Sequence, residues 1–212
     1  MLDTAAQHSF QERLSTIRTL DKQSLLDPRE RTLLTVQDAG LSAFFEYQGQ
    51  TYVVRDISPY EETSEDFKTP QGFFIYELTC LCLDTGETVH FEWEYDDALE
   101  ISMTLERYPF RELTDDRGNA IDGDDLDRIA ENKDGIIAGN ETFWYEDDWA
   151  AVYKKDGRRE NVYMYEFENR DHTQFLTVEE WSGSSRDTYR IYTSVPVEPG
   201  GISLVTKGES KG

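Results

Sequence analysis

Two apolar rhythms divide the chain. Phe10, Leu14, Ile17 and Leu20 recur at helical spacing, which predicts a helix from about Ser9 to Leu20 with one apolar stripe. Ser9-Phe-Gln-Glu12 has the spacing of a capping box at its start. The stripe is expected to cover an open sheet face or edge. Its alternative use is docking onto a partner helix, with Phe10, Leu14 and Ile17 as the contact. Asp27-Pro28 predicts a second short turn or helix, and from about Gly40 the period falls to two.

Leu41–Tyr47 and Gln50–Ile57 read as strands joined at Gln48-Gly49, followed by an acidic loop over Glu61–Asp66. The strongest hairpin signal lies between Gly72 and Tyr95. There, two runs rich in aromatic and β-branched residues flank the turn Asp84-Thr85-Gly86-Glu87. Leu99–Leu105 is a further strand, with a bend at Tyr108-Pro109. Asp115–Asp134 is densely acidic and reads as a connector. In it, Asp122 or Asp124 caps a short helix carrying Leu126, Ile129 and Ala130, which stops at Lys133-Asp134-Gly135. Beyond it, Thr142–Asp147, Ala150–Tyr153, Val162–Phe167, Gln174–Glu179 and Thr188–Val195 are strands, with turns at Gly157, Asn169–Asp171 and Gly183.

The two halves share an order of features. Thr51-Tyr52 matches Thr142-Phe143, Phe74–Leu78 matches Tyr163–Phe167, and Phe91–Glu94 matches Leu176–Glu179. The expected fold is mainly β. It consists of two similar antiparallel β-meander halves related by a pseudo-twofold, sandwich-like or open-barrel-like, with an N-terminal helix and a short connector helix. The expected layout is an N-terminal helical segment (1–39), a first half (40–114), an acidic connector (115–138), a second half (139–205) and a disordered tail (206–212).

Composition adds a sign. Aromatic residues make up 13% of the chain, enough to anchor a folded core, and 44 acidic against 21 basic residues give a net charge of −23. Such a surface repels nucleic-acid phosphates and anionic lipids, so direct binding to either is not expected. The acidity has three open explanations: solubility or a salt-rich habitat, a basic protein partner, or a polycation such as a polyamine or metal. No apolar run reaches the roughly 18 residues of a membrane-spanning helix. Met1–His8 has neither the basic region nor the apolar core of a signal peptide. With two cysteines, Cys80 and Cys82, no disulfide framework is expected. The expected compartment is the cytoplasm, peripheral to a membrane only through a partner.

The strand residues Tyr47–Val54, Tyr76-Glu-Leu78, Val162–Glu166 and Phe175–Trp181 resemble the uncharacterised bacterial domain-of-unknown-function family 4178. The resemblance covers about Gly40 to Leu204 and rests on strand aromatics and glycines, not on a catalytic signature. Domains of that family tend to be encoded near phage-shock-protein-A-like membrane-remodelling proteins and polyamine-metabolism enzymes. The resemblance therefore implies an accessory role in envelope stress or membrane maintenance, and it brings no catalytic residues.

Candidate chemistry is sparse. Glu92, Glu94 and Asp96 share one strand face while Phe91, Trp93 and Tyr95 share the other, which predicts a solvated acidic face beside a core face. Should the halves meet face to face, Glu77, Glu166, Glu179 and Glu180 would join that acidic face. Paired carboxylates could then divide acid from base work as in glycosidases, giving a hydrolase or lyase as the enzymatic alternative. Cys80 and Cys82 read as small buried hydrophobes. The acidic connector fails the register of a calcium loop. No Gly-x-Ser-x-Gly elbow or phosphate-cradling glycine loop is present, and Ser182-Gly183-Ser184-Ser185 reads as a plain turn. The expectation is a non-catalytic interaction protein without catalytic residues, metal or cofactor, bound to a protein partner that is basic or membrane-associated. An acidic decoy for a basic protein or polycation is a further alternative. The preferred contact is Asp115, Asp116, Asp122, Asp124 and Asp125, with Phe10, Leu14 and Ile17 second; no oligomeric state is implied.

Overall fold

The computed structural model describes residues 4–182 and 188–209. After helices α1 (Thr4–Arg18) and α2 (Pro28–Leu33), five strands run in sequence: β1 (Phe44–Tyr47), β2 (Gln50–Thr63), β3 (Pro70–Cys82), β4 (Thr88–Tyr95) and β5 (Leu99–Tyr108). The connector holds β6 (Thr114–Asp115), α3 (Gly123–Asn132) and β7 (Gly135–Ala138). Then come β8 (Glu141–Lys155), β9 (Arg158–Asn169), β10 (Phe175–Trp181), β11 (Thr188–Pro196) and the short β12 (Ser203–Leu204). The protein is mainly β, as its alternating pattern dictates.

All twelve strands belong to one antiparallel sheet, in the order β12-β1-β2-β3-β4-β5-β11-β10-β9-β8-β7-β6. Two seams bend it into a ring. At one, β5 pairs with β11 from Tyr108↔Ile191 to Ser102↔Pro196. At the other, β2 pairs with β8 from Tyr60↔Tyr153 to Thr63↔Ala150. Eight strands thus enclose a partial barrel, while β1 and β7 peel away from it on the far ends of β2 and β8. The seams thus join β5 to β11 and β2 to β8. Tyr76 lies on β3 and Tyr165 on β9; Glu94 lies on β4 and Glu179 on β10.

Local chemistry explains most boundaries. Gln48 and Gly49 take positive φ of 48° and 76°, the geometry of a tight two-residue hairpin turn. Asp122 caps α3, and its side chain and that of Asp125 each accept the other's backbone N–H. Lys133, at φ 57°, turns the chain out of the helix in the left-handed region.

Each half packs an apolar core against the outside of the ring. The first gathers Phe45, Leu78, Cys80 and Phe91; the second gathers Leu126, Ile129, Phe143 and Phe167 beneath α3. Cys80 and Cys82 are both buried in the first core, where burial pushes the Cys80 thiol far up.

Several boundaries differ from expectation. Glu61, Glu62 and Thr63 continue β2 instead of starting a loop, because the seam with β8 supplies backbone partners, and Glu61 meets Lys154 at 2.7 Å. The two strands expected between Thr142 and Tyr153 are one strand running through Asp148-Trp149. The connector gains β6 and β7, which lie beside the expected helix. Ser9 lies inside α1, not at its cap. Thr206 to Glu209 are not a free tail: Phe44 N–H donates to Thr206 Oγ1 at 3.0 Å, and Leu41 pairs with Glu209. The Gly183 turn and the last three residues fall outside the described residues.

The helix α1 docks on the sheet mainly through polar side chains. Arg13 donates to the carbonyls of Leu83 (3.2 Å) and Asp84 (3.0 Å), and Arg55 donates to Thr16 Oγ1 at 2.6 Å. Polar groups therefore dock the helix on the β3–β4 turn. Phe10 and Ile17 face solvent at 53% and 48% exposure, and of the stripe Leu20 packs against the sheet, on the cluster of Phe44, Val53 and Leu81.

Candidate functional site: an acid-lined ring

Strand alternation sends Tyr60, Glu77, Glu92, Glu94, Glu166, Glu179 and Tyr192 to the same side of their strands, and contacts between non-adjacent strands show that this side faces inward. Tyr60 on β2 donates to Glu179 Oε1 on β10 at 2.9 Å. Tyr192 on β11 reaches Glu92 Oε1 on β4 at 3.1 Å, and Tyr153 on β8 donates to Glu77 Oε1 on β3 at 3.1 Å. The expected solvated acidic face is in fact the lining of the ring. The reason is topological: the aromatic face of β4 is claimed by the first outer core, so closing the ring turns the carboxylates toward each other.

The lining is graded from end to end. Near one end Glu77 meets His90 Nδ1 at 3.3 Å, and Asp56 meets Lys155 at 2.7 Å. Burial pushes both acids up, but the His90 ring and a hydrogen bond from Tyr153 at Glu77, and hydrogen bonds from Lys155 and Ser58 to Asp56, leave each below its usual range. Glu179, only 2% exposed, also accepts Trp181 Nε1–H at 2.7 Å. Arg107 and Arg190 border a small cavity of about 140 Å³ at this end, and Arg190 lies 4.0 Å over the Trp181 ring.

The other end carries only acids. A cavity of about 370 Å³ opens there between β4–β5 and β8–β9. Glu92, Glu94 and Glu100 line it from one side, and Glu146, Glu166 and Glu168 from the other, with Glu198 at the rim. Among the described residues it has no Lys, Arg or His in its lining, and of these seven only Glu168 forms an ion pair within 4 Å, with His172 at 2.6 Å; Arg170 and His172 border Glu146 and Glu168 in an adjoining cavity. Ile75, Leu99, Ile101, Phe175 and Val197 form its apolar wall. Burial, then the charges of Glu94, Asp147 and Glu146, push Glu166 up to about 7 against a hydrogen bond from Trp149. Burial, then Glu100 and Asp96, also raise Glu94. No described group of acids, His and Cys could hold a metal ion.

The acidic connector lies elsewhere, and its acids are largely occupied. Asp115 accepts from Asn119 and from the Arg117 backbone. Asp122 and Asp125 cap α3, and Asp125 pairs with Arg128 at 2.8 Å. Asp116 lies 3.8 Å from Arg117, and Asp124 is exposed in the first turn of α3. None of the five lines the cavity. Sequence reasoning named Glu92, Glu94 and Asp96, to be joined by Glu77, Glu166, Glu179 and Glu180 if the halves met face to face, and the ring brings Glu77, Glu92, Glu94, Glu166 and Glu179 together. It missed Tyr60, Tyr153 and Tyr192, whose inward register with the glutamates was the available signal. Asp96 lies at the end of β4, and Glu180 is on the opposite face of β10 from Glu179.

Such a ring defines an acid-lined partial barrel with one mouth whose described charged groups are all acidic. The chain belongs to the domain-of-unknown-function family DUF4178, whose model matches residues 40–199, the whole of the ring. No curated protein and no solved structure matches it.

Proposed function

We propose that this chain is a non-catalytic accessory module whose acidic mouth receives an ammonium or guanidinium group presented by a basic protein partner. The observation that carries the reading is the cavity of about 370 Å³ with seven glutamates and no described basic residue in its lining. Like charges crowded out of water repel, and a bound cation relieves that repulsion. The apolar wall suits the methylene stem of a lysine or arginine, whose charged tip would reach Glu94 and Glu166. A net charge of −23 steers such a partner toward the protein from a distance. The same site accepts a free organic polycation. A partner-mediated link to a membrane assembly follows from the family neighbourhood; no helix among the described residues is long and apolar enough to cross a bilayer.

One observation favours an enzymatic second reading: Glu166, held at about 7 beside Glu94, has the tuning of a general acid. Binding and turnover separate the two. A fluorescent lysine-rich peptide is expected to bind at 0.1 M salt and release toward 1 M, as the Debye length falls from about 10 Å to about 3 Å. The double change Glu94→Gln with Glu166→Gln weakens capture at least about tenfold, equivalent to about 1.4 kcal/mol. Neutralising Asp115, Asp116, Asp122, Asp124 and Asp125 together leaves capture intact. The reverse pattern would move the contact to the connector. Hydrolysis of glycosides or esters that vanishes with Glu166→Gln would replace the binding role with a catalytic one.

A further inference from the structure

A hydroxyl has one proton to give, and Tyr192 has two carboxylate oxygens to satisfy. Its Oη lies 3.1 Å from Glu92 Oε1 and 3.2 Å from Glu179 Oε1. Glu179 also accepts from Tyr60 Oη at 2.9 Å and Trp181 Nε1 at 2.7 Å, so it is the member of the pair built to stay ionised. Glu92 has no described hydrogen-bond donor besides Tyr192. Were both acids ionised, one would face only the lone pairs of the phenol oxygen. The contacts form two hydrogen bonds when Glu92 carries a proton, donates it to Tyr192 Oη, and Tyr192 donates in turn to Glu179.

We propose that Glu92 is a neutral acid in the free protein at neutral pH, and that a cation entering the acidic mouth displaces its proton. The second half rests on the cation-binding reading; the first stands without it. On displacement the Glu92 O–H bond breaks, its electron pair stays on the carboxylate, and the proton passes to solvent buffer. The carboxylate then balances the incoming ammonium charge.

The groups around Glu92 fit this assignment. From β2 comes Tyr60, from β3 Glu77, from β9 Glu166, from β10 Glu179 and from β11 Tyr192. On its own strand stand His90 and Glu94; β5 offers the uncharged Ser102 opposite, with Glu100 and Arg107 farther along. Arg190 on β11 stands beside Glu179 and Tyr192, and Tyr153 on β8 reaches the cluster through Glu77. His90 is engaged with Glu77. Burial pushes Glu92 well above the carboxylate range, the charges of Glu77 and Glu179 add to it, and only a hydrogen bond donated by Tyr192 to the ionised form, given up when Tyr192 donates to Glu179, opposes them.

Infrared spectroscopy at about pH 8, above the titration of Glu166, reads the first half directly. The wild type is expected to show the carbonyl stretch of a protonated carboxylic acid, retained in Glu166→Gln and lost in Glu92→Gln. Tyr192→Phe, which removes the bridge and keeps the acid, shifts the same band. A wild type without the band, or a band that survives Glu92→Gln, overturns the assignment; if that variant does not fold, an unshifted band in Tyr192→Phe does so. For the second half, a short linear diamine is titrated calorimetrically in two buffers of different ionisation heat. Proton release on binding, abolished in Glu92→Gln, supports the exchange. Binding without proton release overturns the coupling alone, whereas no binding of either the diamine or a lysine-rich peptide overturns the cation reading and the coupling with it.

Discussion

Replacing Glu179 by alanine is expected to lower the unfolding free energy by about 3 kcal/mol, the net of two buried donors, Tyr60 and Trp181, losing their acceptor at about 1–3 kcal/mol each, while Tyr192 keeps Glu92. Tyr60 and Trp181 are 1% and 4% exposed, so the freed hydroxyl and indole N–H are held away from bulk water. Relief of repulsion with Glu77 and Glu92 offsets part of the loss. For a chain of this size, about 2–4 °C of midpoint accompanies each kcal/mol, so the thermal transition falls by about 10 °C. Glu94→Ala, which orphans no described donor and removes a charge beside Glu100, leaves the midpoint unchanged or raises it. Circular dichroism melts of the two variants distinguish them. An unchanged midpoint in Glu179→Ala would mean that the carboxylate does not organise the ring interior.

Stability should fall as pH rises from about 5 to 8, the opposite of ordinary acid denaturation. Glu166, raised to about 7, binds its proton more tightly folded than unfolded. Its stabilising contribution is therefore complete below the unfolded value near 4.5 and is lost as pH climbs through about 7. At 1.36 kcal/mol per pH unit, that one residue amounts to about 3 kcal/mol. Glu92, Glu94 and Glu179 are raised too and add in the same direction. Asp56 and Glu77 are lowered; their contribution is present above their unfolded values and lost only in more acidic solution. Urea midpoints at pH 5 and 8 measure the difference, and Glu166→Gln flattens the profile. A wild-type profile that rises across this window would contradict the crowding of carboxylates inside the ring.

The period-two pattern carried the fold well, because each strand of the ring has one face claimed by an apolar core. Phe91 and Trp93 announce that face of β4, and Leu126 and Ile129 announce the buried side of α3. The seams were not legible. Glu61–Thr63 reads as a polar loop, and pairing with β3 on one side and with Ala150–Val152 on the other makes it strand. With the seams hidden, the acids of β4 had no reason to point anywhere but at water. The sequence therefore revealed the Glu-x-Glu alternation but not the cavity it lines. It also concealed the polar docking of α1, since Arg13 bonds to carbonyls of a turn some 70 residues away.

Carboxyl-carbon NMR of glutamate-labelled protein, with resonances assigned through Glu94→Gln and Glu166→Gln, tests the cation site most directly. Titration with a lysine-rich peptide is expected to move the Glu94 and Glu166 signals in a saturable manner, and 1 M salt reverses the shift as its Debye length of about 3 Å screens the attraction. Signals that stay fixed while the peptide binds would contradict the account, because the partner would then be held outside the ring.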